Sequence, residues 1–287
     1  MCSSKFSGTV KYLVVSFMVV LLVGCGSGSS NDNPADSGSE EYVLETVEID
    51  RGNDGIVEAV YYKTYDSDAN ILKSEYDSDN DGIIDSVSNY TYDSDGNVEK
   101  IEVNDESEGI MNEVIYYTYD SDGNNIRLER DWSNNGIINH VTYYSYDSNG
   151  NIEKYIYDEG NDGIFEDISY YNNTYDIDGH LEIKEQASDK NFIYVSYVWY
   201  YTYDNDGNKT IEEIDSDNDG SIDSVTNYTY DINGNNTREE IDSDNDGTID
   251  YARIFTYDID GNLIKEEKDS GNDGSIEEIT YHTWQLL

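Results

Sequence analysis

Cysteine, proline and basic residues are scarce in this chain of 287 residues. It has two cysteines, one proline and 16 lysines and arginines, against 63 aspartates and glutamates. The formal net charge of −47 repels nucleic acid and anionic lipid surfaces, so the sequence argues against both as partners. Aliphatic residues are also few, and this combination is typical of disordered chains. The 29 tyrosines and an internal repeat nevertheless predict a folded domain.

The N-terminal segment predicts export. Two lysines precede an apolar run over residues 12–23, which is well short of the roughly 20 residues of a membrane-spanning helix. Residues 1–24 are therefore predicted to be a signal peptide. Its end, Leu-Val-Gly-Cys at residues 22–25, resembles the lipobox of bacterial lipoproteins, in which the cysteine thiol accepts diacylglycerol.

The lipobox resemblance implies that Cys25 is the lipidated first residue of the mature protein. The alternative is an ordinary secretory signal with an accidental cysteine. Contact with a membrane is expected through this lipid anchor only. Because Gly26 and Ser27 follow the cysteine, the resemblance favours the outer membrane or the cell surface. Residues 25–40 are rich in Gly, Ser, Asn and Asp and are predicted to be a flexible tether.

The remainder of the chain, residues 41–287, repeats itself. Repeat periods of about 27 residues are typical of stacked supersecondary units. Two steps between Tyr-Asp pairs, of 29 and 28 residues, are longer than the others. They predict local bulges near Asn172 and Phe192 rather than a domain boundary. Tyr-Asp pairs recur in eight copies at steps of 27, 27, 27, 29, 28, 27 and 27 residues, and their tyrosines are Tyr65, Tyr92, Tyr119, Tyr146, Tyr175, Tyr203, Tyr230 and Tyr257.

Each repeat contains two short strand-like segments. The segment before each Tyr-Asp pair, such as residues 225–230, alternates β-branched and aromatic residues, and this alternation predicts a strand. Tyr228 and Tyr230 then share one face, so stacked copies form an aromatic ladder. The sequence shows no helical periodicity. The predicted fold is all-β, with tandem β-hairpin repeats of about 27 residues forming an extended or spiralling antiparallel sheet.

The turn after each Tyr-Asp strand has the pattern Asp-x-Asp/Asn-Gly-Asn, as in residues 93–97. Aspartate caps such a turn, and glycine supplies the positive φ of a type I turn with a G1 bulge. This hairpin chemistry is preferred over a metal-binding role. The motif resembles the YD repeats of the RHS family, which implies a β-hairpin array that can curl into a spiral sheet. Ala69 and His180 depart from the pattern.

The second turn of the repeat predicts calcium sites. Asp-x-Asp-x-Asp-Gly-x-Ile-Asp occurs three times. Ca²⁺ takes six to eight oxygen ligands, which alternate carboxylates and the seventh carbonyl of a tight loop can supply. The loops resemble those of EF-hands, thrombospondin type 3 repeats and dockerins, but lack the glutamate of the twelfth position. The predicted ligands are Asp77, Asp79, Asp81, Ile83, Asp85, Asp215, Asp217, Asp219, Ser221, Asp223, Asp242, Asp244, Asp246, Thr248 and Asp250.

Other copies keep part of this ligand set. The copy at Asp131 carries Ser133 and Asn135, the copy at Asn104 is weaker, and the copy near Asp189 has lost the pattern. For every loop the alternative is an acidic turn solvated by water. Three copies replace the third-position aspartate with glycine and are predicted as weaker calcium sites, with the ligands Asp50, Asp54, Glu58, Asp158, Asp162, Glu166, Asp269, Asp273 and Glu277.

These features predict a lipid-anchored, calcium-binding β-repeat protein with a structural or adhesive role at the cell envelope and a polysaccharide or protein ligand. The alternative is a polysaccharide-binding module that uses the Tyr-rich face, because aromatic rings stack on the C–H faces of sugars. Against it, the tyrosines can form the core. Enzymatic activity is not expected, because the turns are regular and the histidines lie in separate repeats, at His140, His180 and His282.

Overall fold

The computed structural model describes residues 42–105 and 110–286. The predicted signal peptide, Cys25 and the tether lie outside the described residues. Within them the chain is all-β, and no helix is long and apolar enough to span a membrane. The strands are β1 (Tyr42–Arg51), β2 (Ala59–Tyr65), β3 (Ile71–Asp77), β4 (Ser86–Tyr92), β5 (Val98–Asp105), β6 (Ile110–Tyr119), β7 (Asn125–Asp131), β8 (His140–Tyr146), β9 (Ile152–Glu159), β10 (Asp167–Tyr175), β11 (Leu181–Ala187), β12 (Val195–Tyr203), β13 (Lys209–Asp215), β14 (Ser224–Tyr230), β15 (Asn236–Asp242), β16 (Tyr251–Tyr257), β17 (Leu263–Ser270) and β18 (Glu278–Leu286).

The strands close into an antiparallel barrel of 18 strands. Each strand pairs with the next along the chain, and β1 pairs with β18 from Tyr42↔Leu286 to Arg51↔Glu278. The prediction of an extended or spiralling open sheet is therefore wrong. Twist accumulated over successive hairpins brings the terminal strands together, and their pairing removes both exposed edges.

The turn after each Tyr-Asp strand has the predicted hairpin geometry. The Asp93 N–H donates to the Asn97 carbonyl at 2.9 Å, and Gly96 has a φ of 86°. The register shifts by one residue between Thr91 and Tyr92, where β4 meets β5. A positive φ at this position is what glycine supplies without steric cost.

The two longer repeat steps have different structural outcomes. The extra residue near Phe192 forms a bulge in β12, where the register skips Ser196 opposite Gln186 and Ala187. The two-residue insertion instead lengthens β10 to nine residues. As a result, Asn173 rather than Tyr175 reaches the carbonyl of Ile152 on the preceding strand, at 3.2 Å.

The two kinds of turn lie at opposite ends of the barrel. Because the strands run alternately up and down, all connections from even to odd strands share one end, here called the YD rim. The acidic loops, which connect odd to even strands, share the other end, here called the acidic rim. β1 begins and β18 ends at the YD rim.

The face that carries the Tyr-Asp tyrosines, here called the YD face, lines the barrel interior. Burial raises the pKa of Tyr90, Tyr117 and Tyr144 on this face. On the opposite face Tyr62 and Tyr116 are 39% and 38% exposed. Side chains converge on the concave side of a barrel, so away from the acidic loops the face with the more shielded rings is the inner one. A barrel of this strand number leaves an aqueous channel rather than a filled core.

Tyrosine hydroxyls connect neighbouring strands within this interior. Tyr92 donates to the Ile71 carbonyl at 2.8 Å, and Tyr119 donates to the Val98 carbonyl at 2.9 Å. The rings are only partly buried. They therefore form a hydrogen-bonded lining of the interior.

Fully buried side chains lie mainly on the outer wall, under the acidic loops. There a small apolar residue stands in register with the first aspartate of a loop. Val60, for example, is 4% exposed and pairs with Asp77, which is 0% exposed. Other such pairs are Val114–Asp131, Val141–Asp158, Val198–Asp215 and Ala252–Asp269.

Candidate cation-binding rim

The first aspartate of each complete acidic loop organises the backbone around it. The Asp77 carboxylate accepts the N–H of Asp81 at 3.1 Å and the N–H of Gly82 at 2.9 Å. Gly82 has a φ of 87°, which a residue with a side chain rarely adopts. Asp215 and Asp242 accept the equivalent bonds in their own loops.

The ninth residue of the loop closes it. The Asp85 carboxylate accepts the N–H of Ser78 at 2.7 Å and its hydroxyl at 2.6 Å. These hydrogen bonds favour the ionised carboxyl and lower the pKa of Asp85. Hydrogen bonds from Ser216 and Ser243 lower the pKa of Asp223 and of Asp250 in the same way.

Within the described part of the chain, five acidic loops each bring together three carboxylates, and each carboxylate offers one oxygen within 4.8 Å of the others. An ionised carboxylate has about four lone-pair sites, so its bonds to the loop leave oxygen lone pairs for a cation. Repulsion between such close negative charges also favours a cation among them. The five groups are Asp77, Asp79 and Asp85; Asp215, Asp217 and Asp223; Asp242, Asp244 and Asp246; Asp50, Asp54 and Glu58; and Asp269, Asp273 and Glu277.

Some predicted ligands do not join these groups. Among the described residues, the Asp158, Asp162 and Glu166 triad is not gathered to this distance. Asp81 and Asp219 stand outside the groups of their own loops, although each accepts the N–H of the seventh residue at 2.8 Å as Asp246 does. In the third complete loop the fifth residue, Asp246, joins the group and the ninth residue, Asp250, does not.

The seventh residues Ile83, Ser221 and Thr248 are exposed. Their carbonyls stay predicted ligands.

Loops with glycine at the third position use the same closure with glutamate. The Glu58 carboxylate accepts the N–H of Arg51 at 2.6 Å, and Glu277 accepts the N–H of Ser270 at 2.6 Å. The third-position glycine also connects two loops, because the N–H of Gly52 donates to the Glu277 carbonyl of the adjacent loop at 2.5 Å.

The loop at Asp131 shows that this backbone does not depend on several carboxylates. Asn135 replaces the fifth aspartate and its Oδ1 accepts the N–H of Ile137 at 2.9 Å. Asn139 replaces the ninth and accepts the N–H of Trp132 at 2.9 Å. The loop geometry is therefore encoded separately from its charge. The weak copy at Asn104 continues into residues 106–109, which lie outside the described part of the chain.

Asparagine at the fourth position links neighbouring loops, a role that the sequence interpretation missed. Asn80 Nδ2 donates to the Val57 carbonyl at 2.9 Å, and Asn245 Nδ2 donates to the Ile222 carbonyl at 2.8 Å. The sequence does indicate a role for this asparagine, because the three complete loops share the identical segment Asp-Ser-Asp-Asn-Asp-Gly. Asn80 also has a φ of 54°, which asparagine tolerates better than most residues.

No protein-family model matches this sequence, and no curated protein matches it. Structural similarity to a TcdB2-TccC3-Cdc42 complex covers 77% of this chain and 14% of the toxin chain, with 13% identity and a TM-score of 0.31. This chain thus spans a small part of that protein.

Two porin-like proteins match over nearly their whole length. The protein from Bacteroides uniformis is 10% identical, with 84% of this chain and 98% of that chain covered and a TM-score of 0.39. The protein from Bacteroides vulgatus is 14% identical, with 86% and 100% covered and a TM-score of 0.39. At such low TM-scores and identities, these similarities assign neither a family nor a function.

Proposed function

We propose that this chain is an exported, lipid-anchored barrel whose acidic rim binds calcium, and that its role at the cell envelope is structural or adhesive. The observation that carries the proposal is the gathering of three carboxylates within 4.8 Å in each of five loops along one rim. An all-oxygen set of this kind suits a hard cation. Ca²⁺ tolerates the irregular geometry of such loops better than Mg²⁺, which demands near-ideal octahedral coordination.

Calcium bound at the acidic loops is expected to stabilise the fold. Loops without a bidentate glutamate are expected to bind with a Kd of about 10⁻⁴ to 10⁻³ M, as extracellular modules do. With about 1 mM free calcium, a Kd of about 10⁻⁴ M stabilises the fold by about 1.4 kcal/mol per loop. Several loops together therefore supply a substantial part of a typical unfolding free energy of about 5 to 15 kcal/mol.

The charged side chains of the outer wall favour a barrel that is surrounded by water and attached to the membrane only through a lipid on Cys25. Ion pairs recur along this wall, and charges on a lipid-facing wall are costly near the bilayer midplane. The outer-wall pairs include Lys73–Glu75, Lys100–Glu102, Arg127–Glu129, Arg238–Glu240 and Lys265–Glu267.

The test is thermal unfolding of the mature chain in chelator, in 1 mM calcium and in magnesium at matched ionic strength. We expect the melting temperature to rise clearly in calcium and much less in magnesium, because general charge screening is the same in both. Equal melting in all three conditions would show that the aspartates only form a solvated edge. Isothermal calorimetry with calcium then gives the number of sites.

A further inference from the structure

The irregular part of the repeat array holds a cluster of two stacked aromatic rings, a lysine and an asparagine. It lies on the YD face of β10, β11 and β12, between the two longer repeat steps. In register, Lys184 pairs with Trp199 and Gln186 pairs with Tyr197. Tyr171 stands opposite Gln186 on the other side. The cluster therefore spans three adjacent strands of the barrel interior.

Tyr197 and Trp199 form an aromatic platform. Their rings stack with centroids 5.4 Å apart and planes 23° apart. Tyr197 is 41% exposed, so the platform is open to solvent although it lies on the inner face. In three other repeats, Ser88, Thr142 and Thr226 occupy the position of Trp199 four residues before the Tyr-Asp tyrosine, whereas Tyr61 occupies it in the first repeat and stacks on Tyr76.

Polar groups converge beside this platform. Lys184 Nζ lies 4.3 Å from the ring centre of Tyr171 and 5.5 Å from that of Trp199. Among the described residues no carboxylate forms an ion pair with Lys184 on β11, whereas Lys209 on β13, two strands away, is paired with Glu212. Asn173 stands in register with Lys184, and its buried Oδ1 has no hydrogen-bond partner.

The acidic rim is altered at the same place. The loop between β11 and β12 has lost the Asp-x-Asp-x-Asp pattern, and it exposes Ile193 and Tyr194 at 67% and 78%. β12 enters the barrel from this loop, so Tyr197 lies nearer the rim than Trp199 does. A ligand can therefore approach the platform from the acidic rim, through the aqueous interior that a barrel of this size leaves.

We propose that this cluster binds an uncharged glycan, with pyranose rings stacked on Tyr197 and Trp199. Sugar hydroxyls then accept hydrogen bonds from Lys184 and donate them to Asn173 Oδ1. A flat aromatic platform with a few convergent polar groups is the usual composition of a ligand site. The net charge of −47 disfavours polyanionic glycans. The proposal is independent of calcium binding at the acidic loops.

The test is calorimetric titration of the mature chain, in calcium, with cellohexaose, maltohexaose, xylohexaose and a hyaluronan hexasaccharide. We expect at least one neutral oligosaccharide to bind and the hyaluronan oligosaccharide to bind more weakly. Trp199→Ala should weaken binding by at least about tenfold, and Lys184→Met should weaken it as well. Trp132→Ala and Lys265→Met are matched controls outside the cluster and should leave binding unchanged.

Trp199→Phe keeps a ring and serves if Trp199→Ala does not fold; it should retain part of the affinity. Absence of binding by all three neutral oligosaccharides at about 1 mM overturns the proposal. Tighter binding of the hyaluronan oligosaccharide overturns the uncharged class of ligand. Binding that survives both Trp199 variants and Lys184→Met places the site elsewhere and also overturns it. Because the calcium test reads melting temperature, failure of one proposal does not decide the other.

Discussion

Trp284 donates its indole Nε1–H to the backbone carbonyl of Leu263 at 2.7 Å. This bond reproduces the one in which the Tyr257 hydroxyl donates to the Asn236 carbonyl at 2.8 Å. Both donors lie 21 residues after their acceptors. Trp284 therefore occupies the tyrosine position of a ninth repeat.

This ninth repeat is divided between the two ends of the barrel. β18 supplies its Tyr-Asp-type strand and β1 supplies its second strand, which ends near the acidic loop that starts at Asp50. Pairing of the two halves closes the barrel. No covalent turn connects them, so the stability of this seam rests on the strand pairing and on side chains such as Trp284.

Loss of the Trp284 bond should weaken the seam. Trp284→Phe keeps an aromatic ring but leaves the Leu263 carbonyl without this donor, and we expect a cost of about 1 kcal/mol. The free energy of unfolding in urea measures it. Trp132→Phe is the control, because Trp132 is 43% exposed on a loop. Equal stability of Trp284→Phe and the wild type would show that the bond does not contribute.

Removing one carboxylate from a complete acidic loop should reduce the stabilisation by calcium. Asp79→Asn should remove up to about 1.4 kcal/mol of it, or roughly 3 °C of the calcium-induced rise in melting temperature. The control is Asp68→Asn, which makes the same change of charge in an exposed turn of the YD rim. The same loss in both variants would indicate a general charge effect instead of a site.

Alkaline pH should unfold the barrel through its tyrosines. Burial raises the pKa of Tyr65, Tyr119 and Tyr201 to about 12. A raised pKa means that the neutral phenol is favoured in the fold, so the stabilisation is complete below pH 10 and is lost as pH rises from about 10 to about 12. Tyrosinate absorbance and circular dichroism should change together in this range. Tyrosinate formation near pH 10 with the β signal intact would contradict the expectation.

Membrane association should depend on Cys25. Cys25→Ser removes the thiol that the lipobox resemblance marks for lipidation, and the variant should move from the membrane to the soluble fraction. Stable anchoring needs more than one acyl chain, so partial lipidation should give intermediate fractionation. Cys2→Ser is the control and should fractionate as the wild type does. Unchanged fractionation of Cys25→Ser would refute the lipid anchor.

Local structure was readable from the sequence because its causes are local. Alternation over residues 225–230 predicts a strand, which is observed as β14. Glycine after aspartate at Gly96 predicts the bulged hairpin, and spaced aspartates from Asp77 to Asp85 predict loops that gather carboxylates. Each of these features depends on neighbours within a few residues along the chain.

The tertiary structure decided the closure of the barrel, which face is the inner one, and the geometry of the proposed glycan site. Whether a hairpin array spirals or closes depends on twist and stagger summed over all 18 strands, which no single repeat encodes. The sequence does place Trp284 27 residues after Tyr257, but only the pairing of β1 with β18 gives that spacing its meaning. Likewise, curvature alone makes the tyrosines an interior lining, because alternation separates two faces without stating which one is concave.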